Sequence, residues 1–334
     1  MTRMHGLITR LLFGALIAIA LPCGAMAQQK PFKVTLILFR GITPADQGFM
    51  DQMKARIPVE FTIRDVQGSR PRIREFVEEA RRDRPDLIYT FGTTVTLDTV
   101  GAVGQADPTL HITDIPVVFN IVADPVGAKL ATAFAATGRN LTGVSHLVPM
   151  PDQLRAMQRF KSVKKLGVIY NPYEANSALA VEQLRELTAQ FRFELREAAL
   201  QTAPGAQVVT QDIVDAMLRL HAAKPDFVYL PSDSSLIARA STIVGMATAA
   251  KIPVISATEG PIRDDVALVG LVSNYYNAGA FAAHKAEQIL VGKQPTGRLP
   301  IETLQRFALV VNMTTAFQLG VYPPLDLIRI AELL

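Results

Sequence analysis

A chain of 334 residues with 49% hydrophobic and 19% charged residues has the balance of a folded protein long enough for two domains, which excludes a disordered or low-complexity chain. The formal net charge of +4 and the pI near 9.2 do not mark a nucleic-acid binder. Two of the 34 basic residues and none of the 30 acidic ones fall in residues 1–27, so the remainder carries only +2 and has no like-charge run or aromatic ladder.

Arg3 and Arg10 precede an apolar stretch from Leu11 to Leu21, followed by Ala25-Met26-Ala27. That order matches the charged, apolar and small-residue regions of a secretory signal, with cleavage expected after Ala27. Eleven apolar residues fall short of the roughly 20 that span a bilayer. Cys23, the single cysteine, raises the alternative of a lipid-modified lipoprotein signal, which Pro22 immediately before it opposes. Cleavage after Ala27 leaves a cysteine-free chain held by its core in an oxidising compartment.

Short β-branched runs then alternate with amphipathic helical stretches, the pattern of a doubly wound α/β protein. Strands are predicted at 32–39, 59–66, 86–91 and 115–122, with helices near 44–56, 70–83 and 94–104. A second series has strands at 165–172, 192–200, 226–231 and 252–258 and helices near 176–190, 207–222 and 235–250. The series correspond: "RPDLIYTFGTTVTL" (84–97) reappears as "KPDFVYLPSDSSL" (224–236), and Ile115-Pro116-Val117 as Ile252-Pro253-Val254. We therefore expect two similar doubly wound parallel-sheet lobes with a ligand cleft between them. Residues 28–147 with 275–304 form lobe 1, and 148–274 with 305–334 form lobe 2. The chain crosses near 145–150 and 273–277, and 298–321 reads as a strand, a further crossing and a short helix.

In such sheets the carboxyl ends of the strands and the helix starts that follow them form the binding edge. Thr93 and Thr94 then face Ser232, Asp233 and Ser234 across the cleft. Any one of these hydroxyls also suits a helix cap, but several in a row exceed what one cap needs. The same edge carries Asp124, as an ammonium acceptor or an Asp-Pro turn, and Asn176, as a helix start or a ligand contact. Arg40 suits a carboxylate, as does Arg263, while Glu259 and Tyr275 lie near a strand end and a crossing. Acceptors and donors together favour a zwitterionic ligand. His111, His146, His221 and His284 show no metal-ligand spacing, and no nucleophile elbow, phosphate loop or dinucleotide fingerprint follows a strand, so neither a cofactor nor an enzymatic role is expected.

"DPVGAKL" (124–130), "NLTGVSHLVP" (140–149), "GVIYNPYEANS" (167–177), "YLPSDSSL" (229–236), "IPVISATEG" (252–260), "NYYNAG" (274–279) and "LVVNMTTAFQLGVYPP" (309–324) in this order resemble the substrate-binding proteins of ABC transporters with the type I periplasmic-binding fold, the group that includes aromatic-amino-acid binders. The resemblance implies an exported, periplasmic, monomeric receptor that clamps a small polar, amino-acid-like solute and presents it to an inner-membrane permease. It also implies a binding role for Thr93, Thr94, Asp124, Asn176, Ser232 and Asp233. The loop "RGITPAD" (40–46) departs from the family pattern. A sensory receptor uses the same closed shape, and a secreted α/β enzyme would add a cluster of catalytic side chains.

Overall fold

The computed structural model describes residues 30–334 except Asp265; the expected signal segment, with Cys23, lies outside the described residues. Two α/β units share one chain. The first sheet is built from β1 (Phe32–Leu38), β2 (Val59–Asp65), β3 (Leu87–Phe91), β4 (Val117–Val122) and β5 (Leu141–Ser145), interleaved with helices α1 (Pro44–Arg56), α2 (Pro71–Asp83) and α3 (Thr93–Val100). After α4 (Met150–Gln158) the second sheet follows as β6 (Lys165–Tyr170), α5 (Ala175–Phe191), β7 (Glu194–Ala199), α6 (Thr210–Ala223), β8 (Phe227–Leu230), α7 (Ser234–Ile237), α8 (Ala240–Ala249), β9 (Val254–Ser256), α9 (Gly260–Arg263) and β10 (Val269–Val272). The chain then returns with α10 (Tyr275–Leu290) and β11 (Glu302–Thr303) to the first sheet, and ends in the second with β12 (Ala308–Val311), α11 (Met313–Leu319), α12 (Leu325–Ile328) and β13 (Glu332–Leu333).

Strand order is β11-β5-β4-β3-β1-β2 in the first sheet and β13-β12-β10-β9-β8-β6-β7 in the second. All named pairs are parallel except β10–β12. Both sheets are therefore doubly wound, and the chain passes between them three times. The central strands "LIYTF" and "FVYL" are apolar except for Thr90 and buried on both faces, as parallel strands covered by helices must be.

The doubled Pro-Asp phrase has a structural cause. Arg84 and Lys224 end α2 and α6 in the left-handed conformation, both with φ 49°. Proline then prevents further helix, and the aspartate fastens the neighbouring strand: Asp86 Oδ2 accepts from Lys33 N at 2.8 Å, and Asp226 Oδ2 from Lys164 N and Lys165 N at 2.8 and 2.9 Å.

Several elements are not legible in the sequence, among them α4, β5, β10 and α10. β5 and β10 were hidden because "LTGVS" and "VGLV" are short and rich in small residues. The helix α10 was passed over as part of a crossing, although Ala278, Ala282, Ala286 and Ile289 mark a buried stripe at helical spacing. It packs so closely on α1 that a Cβ at Gly279 would lie 1.9 Å from the Ala45 carbonyl oxygen.

Candidate functional site

The carboxyl ends of both sheets face each other. From the first sheet come Arg40 after β1, Gly92 to Thr94 after β3, Ala123 and Asp124 after β4, and His146 after β5. From the second come Asn171 to Ser177 after β6, Ser232 to Ser235 after β8, Thr258 and Glu259 after β9, and Ser273 to Tyr275 after β10. The two edges touch. Thr94 Oγ1 donates to Glu174 Oε2, and His146 Nε2 lies 3.0 Å from Ser232 Oγ. Gly92 is required by its backbone, φ 83°, and not by space: a Cβ there would meet the Ser234 hydroxyl oxygen at an ordinary 3.6 Å.

Several cleft groups spend hydrogen bonds on the protein's own backbone or side chains. Thr93 Oγ1 accepts from Ala123 N at 3.4 Å, bracing β3 against β4. Asp124 Oδ1 accepts from Val126 N and Gly127 N, at 3.1 and 2.8 Å, so it builds the Asp-Pro turn. Glu259 Oε1 accepts from Tyr275 N at 2.7 Å and holds the second crossing. Arg263 is paired bidentately with Glu332, at 2.7 and 2.8 Å, far from any ligand role.

Other groups keep polar atoms without a partner. Asp233 caps α7 with Oδ1, which accepts from Ser235 N, Ser235 Oγ and Leu236 N, while its Oδ2 is buried and unpartnered. Asn176 Nδ2 donates to the Ser232 carbonyl, leaving Oδ1 unpartnered. Arg40 Nη1 has no partner either, while His146 Nδ1 lies near the Val122 carbonyl and Thr258 Oγ1 near Tyr275 OH without forming well-aligned hydrogen bonds. They form a connected lining: the Arg40 guanidinium sits 5.4 Å over the Phe91 ring, Phe91 meets Tyr275 edge-on at 6.5 Å, and His146 meets Tyr275 edge-on at 5.7 Å. Buried polar atoms are nearly always well paired in folded proteins, so the poorly partnered ones here, clearest at Arg40 Nη1 and Asn176 Oδ1, mark a place where a ligand can supply partners.

Electrostatics agree. Burial holds His146 neutral, pulling it down to about 4, with the Arg40 charge adding to the effect. Burial and the neighbouring Asp233 carboxylate lift Glu174 to about 8, and burial raises Asp233 as well. Beneath Arg40, Asp46 accepts from Thr43 and Tyr89 and is raised to about 6 by burial. The Ser232–His146 pair has the first half of a nucleophilic arrangement, but His146 Nδ1 meets no carboxylate that would orient it. Among the described residues no group of three or more His, Cys, Asp or Glu is placed to hold a metal ion, and no helix is long and apolar enough to cross a membrane.

A concavity of about 960 Å³ opens beside the ends of β4 and β5, against the first and third crossings, with Ala123, Asp124, Ser145, Phe134, Leu147 and Phe307 in its walls. None of the unpartnered atoms lines it, so the lining between the strand ends is the better candidate despite its smaller spaces of about 130 Å³ beside Glu174 and 440 Å³ beside Arg40. Two residues of that lining were undervalued in the sequence. In the sequence His146 is one of four scattered histidines and Glu174 one letter of the loop after β6; the signal for both is their place one to four residues past a strand end.

Two doubly wound lobes meeting at their strand-end loops, with such a lining between them, define a two-lobed ligand-binding protein of the type I periplasmic-binding fold. A family model described as "ABC transporter substrate binding protein" matches residues 42–332, and the chain belongs to that family. A tyrosine-binding protein of Clostridioides difficile is 26% identical over 272 residues, which are 81% of this chain and 72% of that protein. The crystal structure of a conserved domain protein from Vibrio cholerae superposes with a TM-score of 0.81 at 27% identity, covering 91% of this chain and 99% of that one. An ABC domain in complex with L-Trp from Streptococcus pneumonia gives 0.78 at 20% identity, covering 90% and 100%.

Proposed function

We propose that this chain is the exported solute receptor of an ABC uptake system and that it clamps an amino acid between its lobes, aromatic amino acids being the first to test. The observation that carries this reading is the polarity of the unpartnered atoms. Arg40 Nη1 is a charged donor from the first sheet's edge, while Asp233 Oδ2 and Asn176 Oδ1 are acceptors from the second. A zwitterion with its carboxylate toward Arg40 and its ammonium toward Asp233 satisfies both ends and draws the lobes together, because neither alone offers both charges. Phe91 and Tyr275 beside Arg40 offer ring edges and faces to an aromatic side chain. The printed ligands of two similar proteins, tyrosine and L-Trp, are of this class.

Residues 1–27 fit the export signal such a receptor needs, and the limits 28–147 with 275–304 and 148–274 with 305–334 are the proposed lobes. Delivery to an inner-membrane permease by a periplasmic monomer follows from the same reading, and binding without turnover fits a His146 that no acid orients. A thermal-shift panel on residues 28–334, refolded to strip carried ligand, tests it. A ligand at about 100 times its Kd adds ~2.7 kcal/mol, several degrees for a protein of this size. A shift with an amino acid recovered chemically unchanged supports the reading; shifts confined to sugars or purines would refute it.

A further inference from the structure

Glu174 has no task in an account that needs one carboxylate for one ammonium. It stands in the turn between β6 and α5, 8% exposed, and accepts from Thr94 of the opposite edge. The charged groups facing it are Asp233 at the start of α7, Arg70 before α2 and Asp98 on α3. Arg70 is already held by Asp98 in a two-pronged pair at 2.7 and 2.8 Å, so its charge is largely offset. Asp233 is fully buried, with one oxygen committed to the helix start and the other unpartnered, and Asn176 Oδ1 beside it is unpartnered too. Two carboxylates and an amide oxygen thus share one region, and the cation facing them, Arg70, is already paired with Asp98.

We propose that Glu174 and Asp233 form a two-carboxylate subsite that demands a primary ammonium group on the ligand and resists closure of the lobes when no ammonium is bound. The inference rests on the cleft being the ligand site. An ammonium has three N–H donors and a full positive charge, and Glu174, Asp233 Oδ2 and Asn176 Oδ1 are three acceptors with two negative charges. Without it, closure drives Glu174 out of water onto Thr94 and beside Asp233, so like charges meet in a low-dielectric space. Empty closure then requires a proton.

The sign follows from the raised titration of Glu174 in the closed form. Exposed in an open form, Glu174 titrates near its ordinary value, so closing takes up a proton anywhere between that value and about 8. Above about pH 6.5, where His146 is neutral in either form, the closed-to-open ratio of the ligand-free protein falls by up to about tenfold per pH unit until about 8. At neutral and alkaline pH the receptor therefore stays open until its ligand arrives, and an empty receptor does not mimic a loaded one.

Small-angle scattering of ligand-free residues 28–334 between pH 6.5 and 9 tests this with no ligand present. The radius of gyration, about 19 Å for a compact chain of this length, is expected to rise with pH in the wild type and to stay flat and low in Glu174→Gln. Asp233→Asn, which keeps an oxygen for the α7 cap, should respond less steeply than the wild type without becoming flat, because burial of Glu174 remains and only the like charge is removed. A wild type that does not respond, or a Glu174→Gln variant that responds like it, overturns the proposal. Calorimetry at pH 7 with L-tyrosine and with 3-(4-hydroxyphenyl)propionate, its counterpart without the amine, supplies the second arm. The wild type should prefer the amine by about 100-fold and Glu174→Gln by at least about tenfold less; equal binding of both probes to the wild type overturns the subsite. If neither probe binds while the scattering still responds, the amino-acid reading fails and the acid pair stands.

Discussion

The chain makes one turn twice, and the two copies do different work. After β3, "FGTTVT" starts α3 with Gly92, whose lack of a side chain leaves the helix start to backbone groups; Thr96 bonds back to the Gly92 carbonyl at 2.7 Å and Thr93 braces β4. After β8, "PSDSSL" starts α7 with Asp233, which caps the helix with one oxygen and keeps the other free. The first copy closes its hydroxyls into the fold and offers Thr94 alone across the cleft, while the second presents charge. Like topology therefore need not distribute function evenly: in the proposed site the acceptor end belongs to the second sheet, and the donor end to Arg40 of the first.

The sharpest break of that contrast is Asp233→Ala. Amino-acid affinity should fall by about 100-fold or more, since a buried charged partner is removed, and stability by only about 1 kcal/mol for the lost cap. Unchanged affinity with a lower Tm would reduce Asp233 to a cap and make the two copies equivalent.

His146 stands between the copies and carries the next largest effect. Its folded-state titration near 4 lies below the unfolded value near 6.5, so stability is full above that value and is lost as pH falls through 6.5 toward 4. The loss amounts to up to about 3 kcal/mol. Glu174 and Asp46 are raised and act with the opposite sign, so the measurement is the difference in urea midpoints between wild type and His146→Gln from pH 7 to pH 4.5. Parallel pH profiles would contradict a neutral, buried His146.

Arg40→Gln should weaken amino-acid binding by about 10- to 30-fold with little change in Tm, since its Nη1 holds no protein partner. Thr93→Val should cost under about 1 kcal/mol and leave affinity unchanged. Asp124→Asn, altering a turn whose carboxylate already has its donors, should be smaller still in both readouts. A large affinity loss from either of the last two would place the first copy's loops in ligand recognition after all.

How much of this was legible beforehand follows from the range of each signal. Alternation of apolar runs with amphipathic stretches revealed the paired lobes, and the repeated Pro-Asp-apolar-Tyr phrase pointed to the two facing loops, because both signals are local. The choice between capping and binding was not local. Asp124, Glu259 and Asp233 are equally plausible acceptors as letters, and they differ only in which backbone N–H groups the fold brings to them. His146 and Glu174 become conspicuous only once β5 and β6 deliver them to the same edge, 28 residues apart in sequence but on opposite sheets.

The measurement that tests the account most directly is a calorimetric titration of L-tyrosine, L-tryptophan and L-phenylalanine into refolded residues 28–334, with Asp233→Ala and Arg40→Gln alongside. The account predicts saturable binding of at least one of them to the wild type, near −8 kcal/mol for a micromolar Kd, weakened in both variants because each removes one end of the zwitterion's clamp. Tight binding that survives both substitutions would contradict it.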